Sequence, residues 1–150
     1  MKIGILSDTH GLLRPEILEV LKQCDIILHA GDIHRPDVLE QLTRIAPVRA
    51  VRGNNDRDWA EAVPYTLELE LEGLRICMAH KKKNLPADLS PFDLAVTGHT
   101  HRYQKTRKGN TVFLNPGCCG PRLFHQPITM ATVEASEGEM LITRIDIPHS

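Results

Sequence analysis

The stretch "DIILHAGD", Asp25 to Asp32, decides the fold. Ile26, Ile27 and Leu28 make an apolar run of strand length, and Ala30-Gly31 turns it into an acid. Short apolar runs of this kind suit parallel strands buried on both faces. Ahead of it, "KIGIL" (Lys2 to Leu6) is another such strand, and Arg14-Pro15 then opens a helix whose Ile17, Val20 and Leu21 share one face. Pro15 suits the first helical position, where its missing N–H costs nothing. Beyond the stretch, Val38, Leu42 and Ile45 recur at helical spacing. "PVRAVRGN" (Pro47 to Asn54) supplies a third strand, so Met1 to Asp56 reads as β-α-β-α-β around a parallel sheet.

After Trp59 the pattern changes. "TLELELEG" alternates Leu67, Leu69 and Leu71 with Glu68, Glu70 and Glu72, a half-buried strand with one wet face. Gly73 turns it into "LRICMAH", a hairpin partner. "FDLAVTGH" is a further strand, "RYQKTRKGNTVFLNPG" a hairpin about Gly109-Asn110, and "ITMATVEASEGEMLITRID" two strands about Gly138. The expected class is α/β: two packed mixed β-sheets flanked by helices, in a single domain over residues 1–150.

Composition sets the outer bounds. With 41% hydrophobic and 25% charged residues, a 150-residue chain can bury a proper core. A net charge of -1, with 3 Phe, 2 Tyr and 1 Trp, gives no reason to expect nucleic acid as a partner. No apolar run reaches the roughly 20 residues of a membrane span, and the amino-terminal run is short for a signal peptide. The expected location is cytoplasmic, with no membrane partner. The 4 cysteines, Cys24, Cys77, Cys118 and Cys119, form no C-x-x-C pair and read as reduced thiols.

The informative feature is where the polar residues fall. Five strands end in short turns of metal-ligand residue types: "SDTHG", "HAGDIH", "RGNND", "MAHKKK" and "GHTHR". Carboxyl ends of strands gather at one rim of an open α/β sheet, so these turns can converge. They then offer Asp8, His10, Asp32, Asn54, His80, His99 and His101, oxygen and nitrogen donors with no thiolate. That set exceeds one tetrahedral zinc and suits two divalent ions sharing a carboxylate. Mixed imidazole, carboxylate and amide donors favour manganese, iron, zinc, cobalt or nickel over magnesium or calcium alone. No fragment is specific alone; the ordered set, each at a strand end, is.

In that order, "DTH", "GD", "GNND", a lone histidine and "GHTH" resemble the calcineurin-like metallophosphoesterases. The match is to their small, capless phosphodiesterase branch, which also contains the retromer scaffold subunit, and it runs from Lys2 to about Arg122, including "NPGCCGPR". The resemblance implies an α/β/β/α sandwich, and a dinuclear centre in which Asp8, His10 and His101 hold one ion. Asp32 would bridge, and Asn54, His80 and His99 would hold the other. It further implies a phosphodiesterase whose water or hydroxide between the ions attacks phosphorus in line, with manganese the leading metal and a small phosphodiester as substrate. A catalytically weak protein-binding scaffold is the alternative, disfavoured by the complete ligand set.

Two departures matter. Many larger relatives carry a proton-donating histidine directly after the ligand asparagine; here that position is Asn55, which can hydrogen-bond a phosphoryl oxygen but cannot act as the acid. Lys81-Lys82-Lys83 replaces the branch's usual Gly-His after His80, either as a solvated loop or as a reach toward phosphate. Asp56 is expected to support the shell, and His34 to stand near the rim as a substitute donor. His29 reads as a packed core residue and Asn115 as a turn former. Arg122 is read as a phosphate or surface-acid partner, and His125 as an exposed loop residue. An exposed sheet edge leaves room for a second copy of the chain.

Overall fold

In the computed structural model, residues 1–122 and 125–148 are described. Two five-stranded mixed sheets carry the architecture. The first has the order β10-β9-β1-β2-β3, from strands β1 (Lys2–Leu6), β2 (Ile26–His29), β3 (Val48–Ala50), β9 (Ile128–Ser136) and β10 (Glu139–Ile147). The second has the order β4-β5-β6-β8-β7, from β4 (Thr66–Leu71), β5 (Leu74–Ala79), β6 (Leu94–Val96), β7 (Tyr103–Lys108) and β8 (Thr111–Pro116). β1, β2 and β3 run parallel, as do β5, β6 and β8, so both sets of carboxyl ends can face one rim.

Side-chain alternation assigns the layers. Ile3 and Ile5 of β1 and Leu28 of β2 meet Ile76, Met78, Leu94 and Val96 of the second sheet in the seam between the sheets. Leu6 and Ile27 point the other way, against α1 (Pro15–Leu21) and α2 (Pro36–Thr43) through Ile17, Leu21, Val38 and Leu42. Both helices begin on proline, the first at Pro15 as the sequence predicts, and both are short, so packing of their apolar face holds them more than propensity does. Ile45 lies just beyond α2 yet packs on the same layer. The outer face of the second sheet is covered by a thinner layer. There a 3₁₀ turn at Lys82–Asn84 and the irregular chain after it bring Leu85, Leu89 and Phe92 over Cys77 and Ala95.

The rim sits at one end of this seam and two hairpin tips close the other. Glu72-Gly73 and Glu137-Gly138 join their strands with positive φ at both turn residues, the type I′ pattern. The tips touch: Gly138 N donates to Glu72 O at 2.8 Å. Among the described residues no helix is long and apolar enough to cross a membrane.

Candidate metal centre

Every ligand-type residue singled out from the sequence follows the carboxyl end of a strand. Asp8 and His10 follow β1, Asp32 follows β2, Asn54 follows β3, His80 follows β5, and His99 and His101 follow β6. Neighbouring turns are laced by backbone bonds: Asp8 N donates to Gly31 O, His10 N to Asp32 O and Gly98 N to His80 O. Two side-chain bonds then tie the sheets together at the rim. His80 Nδ1 lies 2.8 Å from Ala30 O, and His99 N donates to Asp8 Oδ2 at 3.1 Å. Such lacing leaves no room for side chains at Gly53 and Gly98, where a Cβ would overlap Asp32 Oδ1 and Ser7 Oγ.

The backbone here is strained. Asp8, His10, Asp32, His34, His99 and His101 all have φ between 45° and 82°, the left-handed region that side chains avoid. Such residues persist where the surrounding structure over-determines them, and they cluster at functional sites.

Among the described residues two groups of donor atoms result, each within 4.8 Å: Asp8, His10 and His101, and Asp8, Asp32 and His80. Asp8 Oδ1 lies 3.3 Å from His101 Nε2, 3.7 Å from His10 Nε2 and 3.9 Å from His80 Nε2. Asp32 Oδ2 lies 3.2 Å from His80 Nε2 and 3.8 Å from His10 Nε2, between the two groups. His80 shows how a ligand is prepared. A carbonyl can only accept, so Nδ1 donates to Ala30 O, which turns Nε2 toward the carboxylates, where its lone pair can meet a cation once the proton is lost.

Three of these atoms, Asp8 Oδ1, His10 Nε2 and His80 Nε2, are buried without a hydrogen-bond partner. Orphaned buried polar atoms are costly, and here all three belong to the converging donors. Divalent cations satisfy oxygen and imidazole-nitrogen donors of this kind, so the residues present fit a metal centre.

Charge is balanced between acids and imidazoles. Burial pushes the Asp8 carboxyl up, but His10, His101, His80 and the Ser7 hydroxyl outweigh it and hold it well below the usual range. At 3.7 Å the His10–Asp8 pair is too long for a hydrogen bond, so its effect is one of charge. Asp32 is lowered in spite of burial by His80 and the Asn55 N–H. His10 is raised, chiefly by Asp8. His80 is raised as well, its carboxylate neighbours overcoming burial. His99 is lowered by burial, His80 and Lys81. Metal binding would compete with protons at His10 and His80.

The GNND turn divides differently from expectation. Asn54 is exposed, while Asn55 makes both amide contacts to Asp32, N to Oδ1 at 3.0 Å and Nδ2 to Oδ2 at 3.1 Å. One Asn55 side-chain donor is therefore already committed to a carboxylate. Asp56 is buried and accepts three backbone N–H groups, from Ile33, His34 and Gly53, which clamps two turns together. The clamp presents His34, exposed at the rim with its ring 6.0 Å from that of His10. His99 is exposed, its ring 5.2 Å from that of His80.

Of the lysine run, Lys82 packs over the Phe113 ring at 5.0 Å, and Lys81 stays partly buried beside His80. Arg122 turns back onto the carbonyls of Gln126 and His125. The cysteines are all buried and free. Cys118 and Cys119 donate to the carbonyls of Asp8 and Ser7, and burial pushes both thiols up.

Supporting residues were harder to see in the sequence. Ser7 donates to Asp8 Oδ2 at 2.6 Å. Asn115 bonds Gly98 O, Thr100 Oγ1 and Gly117 N, so the turn former also fixes the turn that carries His99 and His101. The only signal for either was a polar residue ending an apolar strand.

The calcineurin-like phosphoesterase superfamily domain matches residues 1–138. The chain belongs to this family. A probable metallophosphoesterase of Methanothermobacter thermautotrophicus is 31% identical over 163 residues, covering 99% of this chain and 95% of the relative. A phosphodiesterase of Methanocaldococcus jannaschii is 26% identical over 143 residues, covering 80% and 86%. The fold resembles Vps29 of Chaetomium thermophilum with a TM-score of 0.79 at 16% identity, covering 98% of this chain and 97% of that one. At that identity the likeness concerns the fold alone. The chain is a phosphoesterase-family protein whose donor set suits divalent metals.

Proposed function

We propose that this protein is a metal-dependent phosphodiesterase with a dinuclear centre. The observation that carries the reading is the pair of donor groups sharing Asp8, with three buried ligand atoms left orphaned between them. Asp8, His10 and His101 would hold one ion; His80 and His99, with Asn54 turning inward, would hold the other, and Asp32 would serve both. Bound there, two divalent cations supply Lewis acidity that lowers the pKa of water and draws charge from the phosphoryl oxygens. Manganese leads, with nickel, iron, zinc and cobalt as the other candidates.

The chain's own residues set the substrate class. Asn55 fixes Asp32 and donates no proton, so the position where larger relatives keep a histidine acid does not protonate the leaving oxygen. His34, exposed beside His10, is the imidazole left to serve that oxygen. Esters whose leaving group needs little protonation therefore react best. With Mn²⁺ added, the purified protein is expected to hydrolyse bis(p-nitrophenyl) phosphate well and simple alkyl monoesters poorly. Faster turnover of the monoesters overturns the reading. The fold likeness to Vps29 leaves a protein-binding role as the alternative, and an absence of hydrolysis with any of the five metals would favour it.

A further inference from the structure

His29 and Thr9 are not ligands, yet they join the turns that hold the two carboxylates. Both are fully buried. His29 Nδ1 accepts from Gly31 N at 3.1 Å, which leaves the ring proton on Nε2. That Nε2 lies 3.0 Å from Thr9 Oγ1, so it donates to the hydroxyl, and the hydroxyl donates onward to Ile33 O at 3.3 Å. Burial holds the ring neutral, its pKa pushed down to about 4, in keeping with an Nδ1 lone pair already used.

The route of this chain is the point. Thr9 stands between Asp8 and His10, and Gly31 and Ile33 flank Asp32. The ends of the relay therefore grip the backbone on both sides of Asp32, and its middle grips the residue beside Asp8. Those carboxylates sit on strained backbone, with φ of 59° at Asp8 and 57° at Asp32, and a strained loop holds its geometry only when its bonds are complete. An apolar core layer would need neither the hydroxyl nor the imidazole.

We propose that the Gly31–His29–Thr9–Ile33 relay is a positioning device that sets the spacing of Asp8 and Asp32, and so the affinity for the second ion. It rests on the dinuclear reading above. Residues that orient ligands in this way typically change metal affinity by about 10–100-fold. The test is calorimetric titration of the full metal-free chain with Mn²⁺, alongside melting of the same samples. Wild-type protein is expected to bind two ions; if it binds none, the dinuclear reading fails and the proposal with it.

Given two ions in the wild type, Thr9→Val is expected to weaken the weaker site by about 10–100-fold and the tighter site far less. Thr9→Ser, which keeps the hydroxyl, should restore it. A purely structural role would lower the melting temperature of both variants and leave the ratio of the two Kd values unmoved. Wild-type affinities in Thr9→Val, or no recovery in Thr9→Ser, overturn the proposal. Should Thr9→Val not fold, His29→Gln is read instead. Its amide can still meet Thr9 but cannot accept from Gly31, and an unchanged ratio of Kd values in that variant also overturns the proposal.

Discussion

Left-handed backbone occurs at both ends of the seam, and for different reasons. At the closed end, Glu72-Gly73 and Glu137-Gly138 adopt it because a two-residue hairpin demands it, and the second position of each is glycine. At the rim, six residues adopt it while carrying a carboxylate or an imidazole. Glycine would relax those positions and delete the donors with them. Strain at the hairpins is a turn requirement that sequence can relieve; strain at the rim is held in place by the hydrogen bonds of the site. The two ends should therefore respond in opposite ways to substitution.

The largest effect is expected at Asp32, which belongs to one donor group and comes within 3.8 Å of His10 in the other. Asp32→Asn should lower Mn²⁺ binding and aryl diester hydrolysis by about 100-fold or more, since one change weakens both ions. Retained hydrolysis would remove Asp32 from its shared position.

His29 comes next. Its folded pKa of about 4 lies below the ordinary 6.5, so between these values the unfolded chain binds more protons and stability falls as pH falls. The loss approaches about 3 kcal/mol by pH 4. Urea melts of metal-free wild type and His29→Gln should differ by that slope over this window. The raised pKa values of His10 and His80 act oppositely, contributing stability below pH 6.5 that is lost as pH rises through them, and they cancel in the comparison. Identical slopes would show that His29 is not held neutral.

Gly53→Ala is expected to cost about 1–3 kcal/mol, because its Cβ meets the Asp32 side chain and backbone together. Activity should fall further than stability, as the displaced atom is one of the proposed ligands. The smallest effect belongs to the closed end. Glu72→Asn puts a residue at ease with positive φ into an exposed turn and should stabilise by about 0.5–1 kcal/mol, with hydrolysis unchanged. A destabilised Glu72→Asn would mean that the Glu72 side chain matters more than its backbone.

Much of this was legible in the residues. Apolar runs ending in acid or histidine marked β1, β2, β5 and β6, and the Leu67-Leu69-Leu71 alternation marked β4 as half-buried, because side-chain period follows directly from backbone geometry. The GNND turn was only half legible. Its ligand types were plain, but whether Asn54 or Asn55 meets Asp32 depends on a turn conformation set by Asp56 across two loops. His29 reads as a core residue and is one, and nothing local shows that its two nitrogens face the two carboxylate turns.

The sequence by itself determined the strands, the two helices and the residue types at the rim, since those depend on short-range period and on chemistry carried by single side chains. Only the tertiary structure decided which donors share a point in space, which amide holds Asp32, and which imidazoles face the carboxylates and which brace their turns. Those choices turn on hydrogen bonds between residues such as Thr9 and His29, 20 apart, and His99 and Asp8, 91 apart, and no local pattern encodes the direction of a bond to a distant partner.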